Sequence, residues 1–403
     1  MHRRDFLARS AAAGMAAAAP WRLWAAPSGG HGTRLLLVFL RGAYDALGAF
    51  VPYTDAFYRE ARPRLALDAP GSGAVARSCI DLDGRWGLLP RLGDTVGALW
   101  AESQFSFVPF AGTGFVSRSH FDAQDRMEAG AIAGATPPGG FLGRLLAELG
   151  PSEGGSGIAF AAQAPQVLRG ERAVTTLALG TGTLADGELQ HLAQVLSLYQ
   201  GHALEAPLRE ALQLRSRPDD ALIGADMPSA RAALTAEDFA RQCAVIGRLL
   251  RERPAFSVAT VDVGGWDTHA RQGGAEGPLA SRLERLSEGI VSLRGALGDA
   301  AWRNTVVVVL SEFGRTVREN GAQGTDHGHG SALWIAGGQV RGGRAAGEQV
   351  PIRPDQLHQG RDLPVLNEYG AVMGGLLRRA YGLDTAALAR IFPGRAPVDL
   401  GLL

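Results

Sequence analysis

Asp326, His327 and His329 alternate with glycines at 324, 328 and 330, a run that packing rarely requires. Glycine between the two imidazoles, at 328, and after them, at 330, lets the backbone fold tightly about a shared centre. A second set, Asp262, Asp267 and His269, falls within eight residues. Carboxylate oxygens with imidazole nitrogens suit zinc, manganese or iron better than magnesium. A third segment reads Ser117-Arg118-Ser119-His120-Phe121-Asp122. A helix starting near Ser119 would set its hydroxyl at the positive end of the helix dipole, which favours an alkoxide and an anionic ligand. The bland reading of the same pattern is a cap, with Ser119 paired to Asp122. Arg118 offers a fork for substrate oxygens. Asp45 follows Arg41-Gly42, and Ser311-Glu312-Phe313-Gly314-Arg315 supplies a further carboxylate and guanidinium. Four of the nine histidines, 120, 269, 327 and 329, fall in these clusters, whereas 2, 31, 191, 202 and 358 read as surface or capping residues.

Each cluster follows or adjoins an apolar run. Leu35–Leu40, Phe105–Phe110, Phe256–Val261, Thr305–Leu310 and Ala332–Ala336 read as strands buried on both faces. Phe239–Leu250 and Leu279–Leu297 repeat apolar residues at helical spacing. Strands alternating with long helices predict an α/β fold, a mostly parallel central sheet between helices. In such sheets ligands bind beyond the carboxyl ends of the strands, where the polar clusters lie. The Ala/Leu-rich region 140–225 reads as a peripheral insertion on a single domain spanning 33–403.

Composition narrows the chemistry. Forty basic residues balance forty acidic ones, which argues against a nucleic-acid partner. All basic residues are arginine, so a phosphate-loop lysine and a Schiff-base lysine are excluded. Cys79 and Cys243 are too few for a thiolate zinc cluster. No stretch of the chain after the leader reads as a membrane span. The start, Met1-His2-Arg3-Arg4-Asp5-Phe6-Leu7 followed by an Ala/Gly-rich run, reads as a twin-arginine signal over 1–26. Export through that machinery would place the protein in the periplasm or outside the cell.

Taken together, the arginine pair, Arg118–Asp122, Gly264–His269, Ser311–Thr316 and Gly324–Gly330 resemble the exported bacterial family known as domain of unknown function 1501. That family is similar to the alkaline phosphatase and sulfatase superfamily. The resemblance implies an alkaline phosphatase-like fold and a metal-dependent hydrolase acting on a small anionic phosphate or sulfate ester. It implies Ser119 as nucleophile, with Ser117 in reserve, and Arg118 and Arg315 on the ester oxygens. One or two divalent ions, zinc or manganese, would be held by residues drawn from Asp45, Asp267, His269, Glu312, Asp326, His327 and His329. Phe313 stands where the superfamily has a ligand histidine, which leaves His327 to compensate. The alternative is a binding or assembly protein that keeps the fold, with a metal of structural role.

Overall fold

The computed structural model describes residues 32–130, 137–150, 156–179 and 233–403. The 1–26 segment with its arginine pair lies outside them, as does 180–232. The chain divides into two compact units, Pro27–Thr176 with Pro228–Leu403, and Met1–Ala26 with Leu177–Met227. All that follows concerns the first.

At its centre is β1, Arg34–Leu40, buried at every position. Parallel to it on either side run β8, Phe256–Val263, and β9, Thr305–Ser311, with Leu37 level with both Thr260 and Val308. Unbroken Leu, Val and Phe runs are what a strand covered on both faces demands. Each large side chain so buried contributes roughly 1.5–3 kcal/mol. Alternate residues Leu35, Leu37 and Phe39 share one core with Val306, Val308, Leu310, Leu333 and Ile335, as the two-residue repeat of a strand requires. Against that face pack the helices Phe141–Leu149 and Tyr369–Tyr381 through Leu142, Leu145, Met373 and Leu377. The helices Ala236–Glu252 and Pro278–Trp302 pack on each other, and the second carries the chain from β8 over to β9.

Among the described residues the sheet has eight strands, and it is mixed. Beyond β9 lie β10, Ser331–Gly337, β5, Phe105–Gly112, and β11, Asn367–Glu368. Beyond β8 lie β6, Ser156–Ala159, and β7, Thr175–Thr176. β10 runs antiparallel to both β9 and β5. This corrects the expectation of a mostly parallel sheet. No helix separates the runs at 305–310 and 332–336, so the chain leaves β9, makes one excursion over 312–330 and returns along the same edge. Parallel pairing would have needed a crossover. The opening part of the region read as an insertion also belongs to the sheet, because β6 pairs with β8 and β7 with β6.

A small three-stranded sheet, Phe50–Val51 (β2), Gly87–Leu88 (β4) and Ile80–Asp81 (β3), flanks the main one. Cys79 and Cys243 are buried free thiols. Among the described residues, no helix is long and apolar enough to cross a membrane.

Candidate metal centre

The carboxyl ends of β1, β8 and β9 release three loops that must lie against one another. Gly42, at φ 116°, is where they touch: a Cβ there would sit 2.8 Å from the Asp267 backbone nitrogen. Any side chain would force apart the loops after β1 and β8. Ala43 beside it is also left-handed, at φ 58° and fully buried, a conformation that costs a non-glycine residue about 1 kcal/mol or more.

Arg315 fastens these loops. Its buried guanidinium donates to the carbonyls of Ala43 (2.6 Å), Gly42 (2.8 Å), Thr325 (3.1 Å) and Trp266 (3.3 Å), and to the Asp267 carboxylate. The expectation that it would clamp substrate oxygens is corrected, because its donors are already engaged. It orients Asp267 instead. Burial works to raise the Asp267 pKa, but the Arg315 hydrogen bond and charge, with His269 and His120, bring it below the ordinary carboxylate value.

Around Asp267 three imidazoles converge by the same nitrogen. His327 Nε2 lies 3.0 Å from His120 Nε2, 2.9 Å from His269 Nε2 and 3.2 Å from Asp267 Oδ1. His269 Nε2 is 3.0 Å from Asp267 Oδ1, and His120 Nε2 is 3.5 Å from Oδ2. Each ring is held from behind through Nδ1. His120 Nδ1 meets Glu312 Oε1 at 2.7 Å, His269 Nδ1 meets Asp326 Oδ1 at 3.1 Å, and His327 Nδ1 meets the Arg118 carbonyl at 2.8 Å. A carbonyl only accepts, so His327 Nδ1 carries the proton.

The two carboxylates reach the same result. Burial raises the Glu312 pKa, but hydrogen bonds from His120, Gln124 and the Gly42 N–H outweigh it and keep the group ionised. Asp326 is lowered by the Asn320 amide and by His269. With all three Nδ1 atoms donating, the three Nε2 lone pairs face one another and a carboxylate. That arrangement repels itself unless a positive charge sits among them, either a proton or a cation. Burial lowers the His120 pKa, but Glu312 and Asp267 raise it above the ordinary imidazole value. His327 is lowered by burial and by its neighbours His120 and Arg315.

His120, Asp267 and His327 offer ligand atoms all within 4.8 Å of one another, with His269 adjoining. Three imidazole nitrogens and a carboxylate oxygen, each braced by a second hydrogen bond, fit a divalent ion of the zinc class.

The structure thus brings together Asp267, His269 and His327 and sorts the remaining expected ligands elsewhere. Asp45 is buried in an ion pair, taking Arg62 at 2.6 and 2.9 Å and Gln272 at 2.5 Å, so both oxygens are spent. Glu312 and Asp326 stand behind histidines, against the Nδ1 atoms of His120 and His269, rather than among the converging Nε2 atoms. His329 points away and lies against the His358 ring at 4.4 Å. Ser119 caps the helix His120–Ala129, its hydroxyl accepting from the Asp122 N–H at 3.4 Å, while Ser117 Oγ accepts from the Ser119 N–H at 3.1 Å. Phe313 stacks on His120 with centroids 4.9 Å apart and walls the centre.

His120 belongs in the ligand set that the sequence reading left without it. The signal was its place just inside a helix N-terminus, where a side chain turns back toward the preceding loop. Also missed was the brace behind it. Gln124 Nε2 donates to Glu312 Oε1 at 2.8 Å and Gln124 Oε1 accepts from Arg41 at 2.9 Å, while Arg41 Nη2 lies 2.8 Å from both Asp262 and Glu128.

Fold and centre together define an α/β protein with a histidine-rich centre at the carboxyl ends of its strands. Its residues 113–392 match the family described as protein of unknown function (DUF1501), and the chain belongs to that family. No match is found among curated proteins. Of solved structures, Ps i-CgsB in complex with k-i-k-neocarrahexaose aligns with a TM-score of 0.35 and 10% identity, over 84% of this chain and 68% of the other. Ps i-CgsB alone aligns with a TM-score of 0.38 and 9% identity, over 90% and 75%. Both scores lie below the level at which a shared fold follows.

Proposed function

We propose that the chain is an exported, metal-dependent hydrolase of small phosphate or sulfate esters, built on an alkaline phosphatase-like fold. The observation that carries this reading is the convergence of three imidazole Nε2 atoms on Asp267. His120, His327 and Asp267, with His269 adjoining, would hold one zinc or manganese ion. Bound there, the ion would supply Lewis-acid stabilisation of charge on the ester oxygens and lower the pKa of an oxygen nucleophile.

The chain's own residues supply the rest. Ser119 sits at a helix N-terminus next to a ligand, and its hydroxyl already accepts an amide N–H, which favours the alkoxide form. Arg118 carries the cation for the ester oxygens, now that Arg315 is committed to backbone. Arg315, Glu312 and Asp326 hold the ligands in place. A single ion fits better than two, since Asp45 and Glu312 are spent. Export is supported by the arginine pair and small-residue run at the N-terminus.

Metal analysis of the folded protein should find about one equivalent of zinc or manganese per chain. Aryl phosphate or sulfate turnover should then be abolished by a chelator and cut by orders of magnitude in Ser119→Ala. Metal without turnover on any phospho- or sulfo-ester would favour the second reading, a binding or assembly protein. The commitment of Asp45 and Arg315 to structural roles is the observation that supports that alternative.

A further inference from the structure

Beside the centre Arg118 stands with two histidines, His329 and His358, that the proposed chemistry does not use. The chain reverses between His358 and Asp362, paired both ways by backbone hydrogen bonds of 2.8 and 3.0 Å. Gln359 and Gly360, at φ 54° and 65°, make the turn. For Gln359 this is a conformation that only a fixed turn sustains. The hairpin sets His358 next to Asp362 and under His329.

Three features of this place stand out. His329 is only 7% exposed, yet among the described residues its side chain makes a ring contact with His358 and no hydrogen bond. His358 Nε2 is buried without a partner. Buried polar atoms are nearly always satisfied, so the orphaned His358 Nε2, with the His329 ring against it, points to a missing partner.

Charge is also in surplus. Asp362 is shared by two guanidiniums, Arg361 at 3.1 Å and Arg118 at 3.5 Å, leaving a net positive group. Arg118 is the loosely held one. It is 44% exposed and, among the described residues, its guanidinium bonds Asp362 and the Gln359 side-chain Oε1 at 3.4 Å, both through one terminal nitrogen. Its Nε and other terminal nitrogen remain as donors in a fork suited to an oxyanion.

We propose that Arg118, His329 and His358 form an oxyanion subsite, oriented by Asp362, that takes a phosphate, sulfate or carboxylate group independently of the metal. The Arg118 carbonyl also holds His327, so the subsite opens next to the centre. It rests on the ester-hydrolase reading only in that the oxyanion would belong to that substrate. The guanidinium carries most of the binding, and the two imidazoles complete it with hydrogen bonds whose loss costs less.

The test is titration of the full folded protein with inorganic phosphate and with sulfate, before and after metal removal by a chelator. Metal-stripped protein should still bind, and affinity should fall about tenfold or more in Arg118→Met, the loss expected for a charge-assisted hydrogen bond. Arg118→Lys should recover part of it, and His358→Gln should lose less than Arg118→Met. Binding that vanishes with the metal, or that is the same in Arg118→Met, overturns the subsite and leaves the metal centre standing. Arg118-dependent binding in a protein that takes up no metal at all supports the subsite and defeats the hydrolase reading.

Discussion

His327 and His329 share a loop and a residue type, are separated by one glycine, and do opposite things. Behind His327 stands a carbonyl that fixes its Nδ1 proton and turns Nε2 toward His120, His269 and Asp267. Behind His329 there is no such acceptor among the described residues. Its ring rests on His358, and burial, aided by His358 and Arg118, pushes its pKa down to about 4. An imidazole becomes a ligand because something orients it from the rear, and spacing in sequence does not provide that.

The sharpest way to break this contrast is to remove the oriented rings. His120→Ala or His327→Ala should weaken zinc binding by more than the roughly 10–100-fold typical of losing an orienting partner. His329→Ala should leave it within a few-fold, as read by competition with a chromophoric chelator. Equal losses at 327 and 329 would dissolve the distinction.

Acid should expose the buried ring. The unfolded chain protonates this imidazole below pH 6.5, whereas the folded chain resists until about 4. Stability should therefore fall as pH drops through that window, by at most roughly 3 kcal/mol. Urea unfolding from pH 7 to 4 would show it, and His329→Gln should flatten that part of the curve.

A smaller effect is expected from the braces. Glu312→Gln and Gln124→Leu each disturb the support of His120, and zinc affinity should drop about 10–100-fold. The d–d spectrum of the cobalt-substituted protein should shift, with little change in far-UV circular dichroism. Wild-type affinity in Gln124→Leu would show that the brace stops at Glu312.

The smallest effect concerns Ser119, whose long cap bond predicts a stability loss of about 0.5–1 kcal/mol in Ser119→Ala. A larger loss would mark it as chiefly a structural cap.

The strands β1, β5, β8, β9 and β10 were legible because runs such as Leu35–Leu40 have one interpretation in a protein interior. So was the edge of the sheet at which polar clusters would gather. The partners were not. Asp45 looks like a ligand until Arg62, in a stretch with no motif, takes both its oxygens. Arg315 looks like a substrate clamp until four backbone carbonyls from three separate loops claim it. His358 reads as a surface residue because the turn that folds it under His329 depends on a left-handed Gln359, which the residue type does not announce. Ion pairs and turns of this kind are decided by chain crossings distant in sequence.

The reversal between β9 and β10 has an architectural consequence. Residues 312–330 start and finish beside each other on paired strands, so the segment bearing Glu312, Arg315, Asp326, His327 and His329 is topologically a replaceable cassette. Relatives could lengthen, shorten or rewrite it without rethreading a single strand, altering chemistry while the framework beneath stays the same.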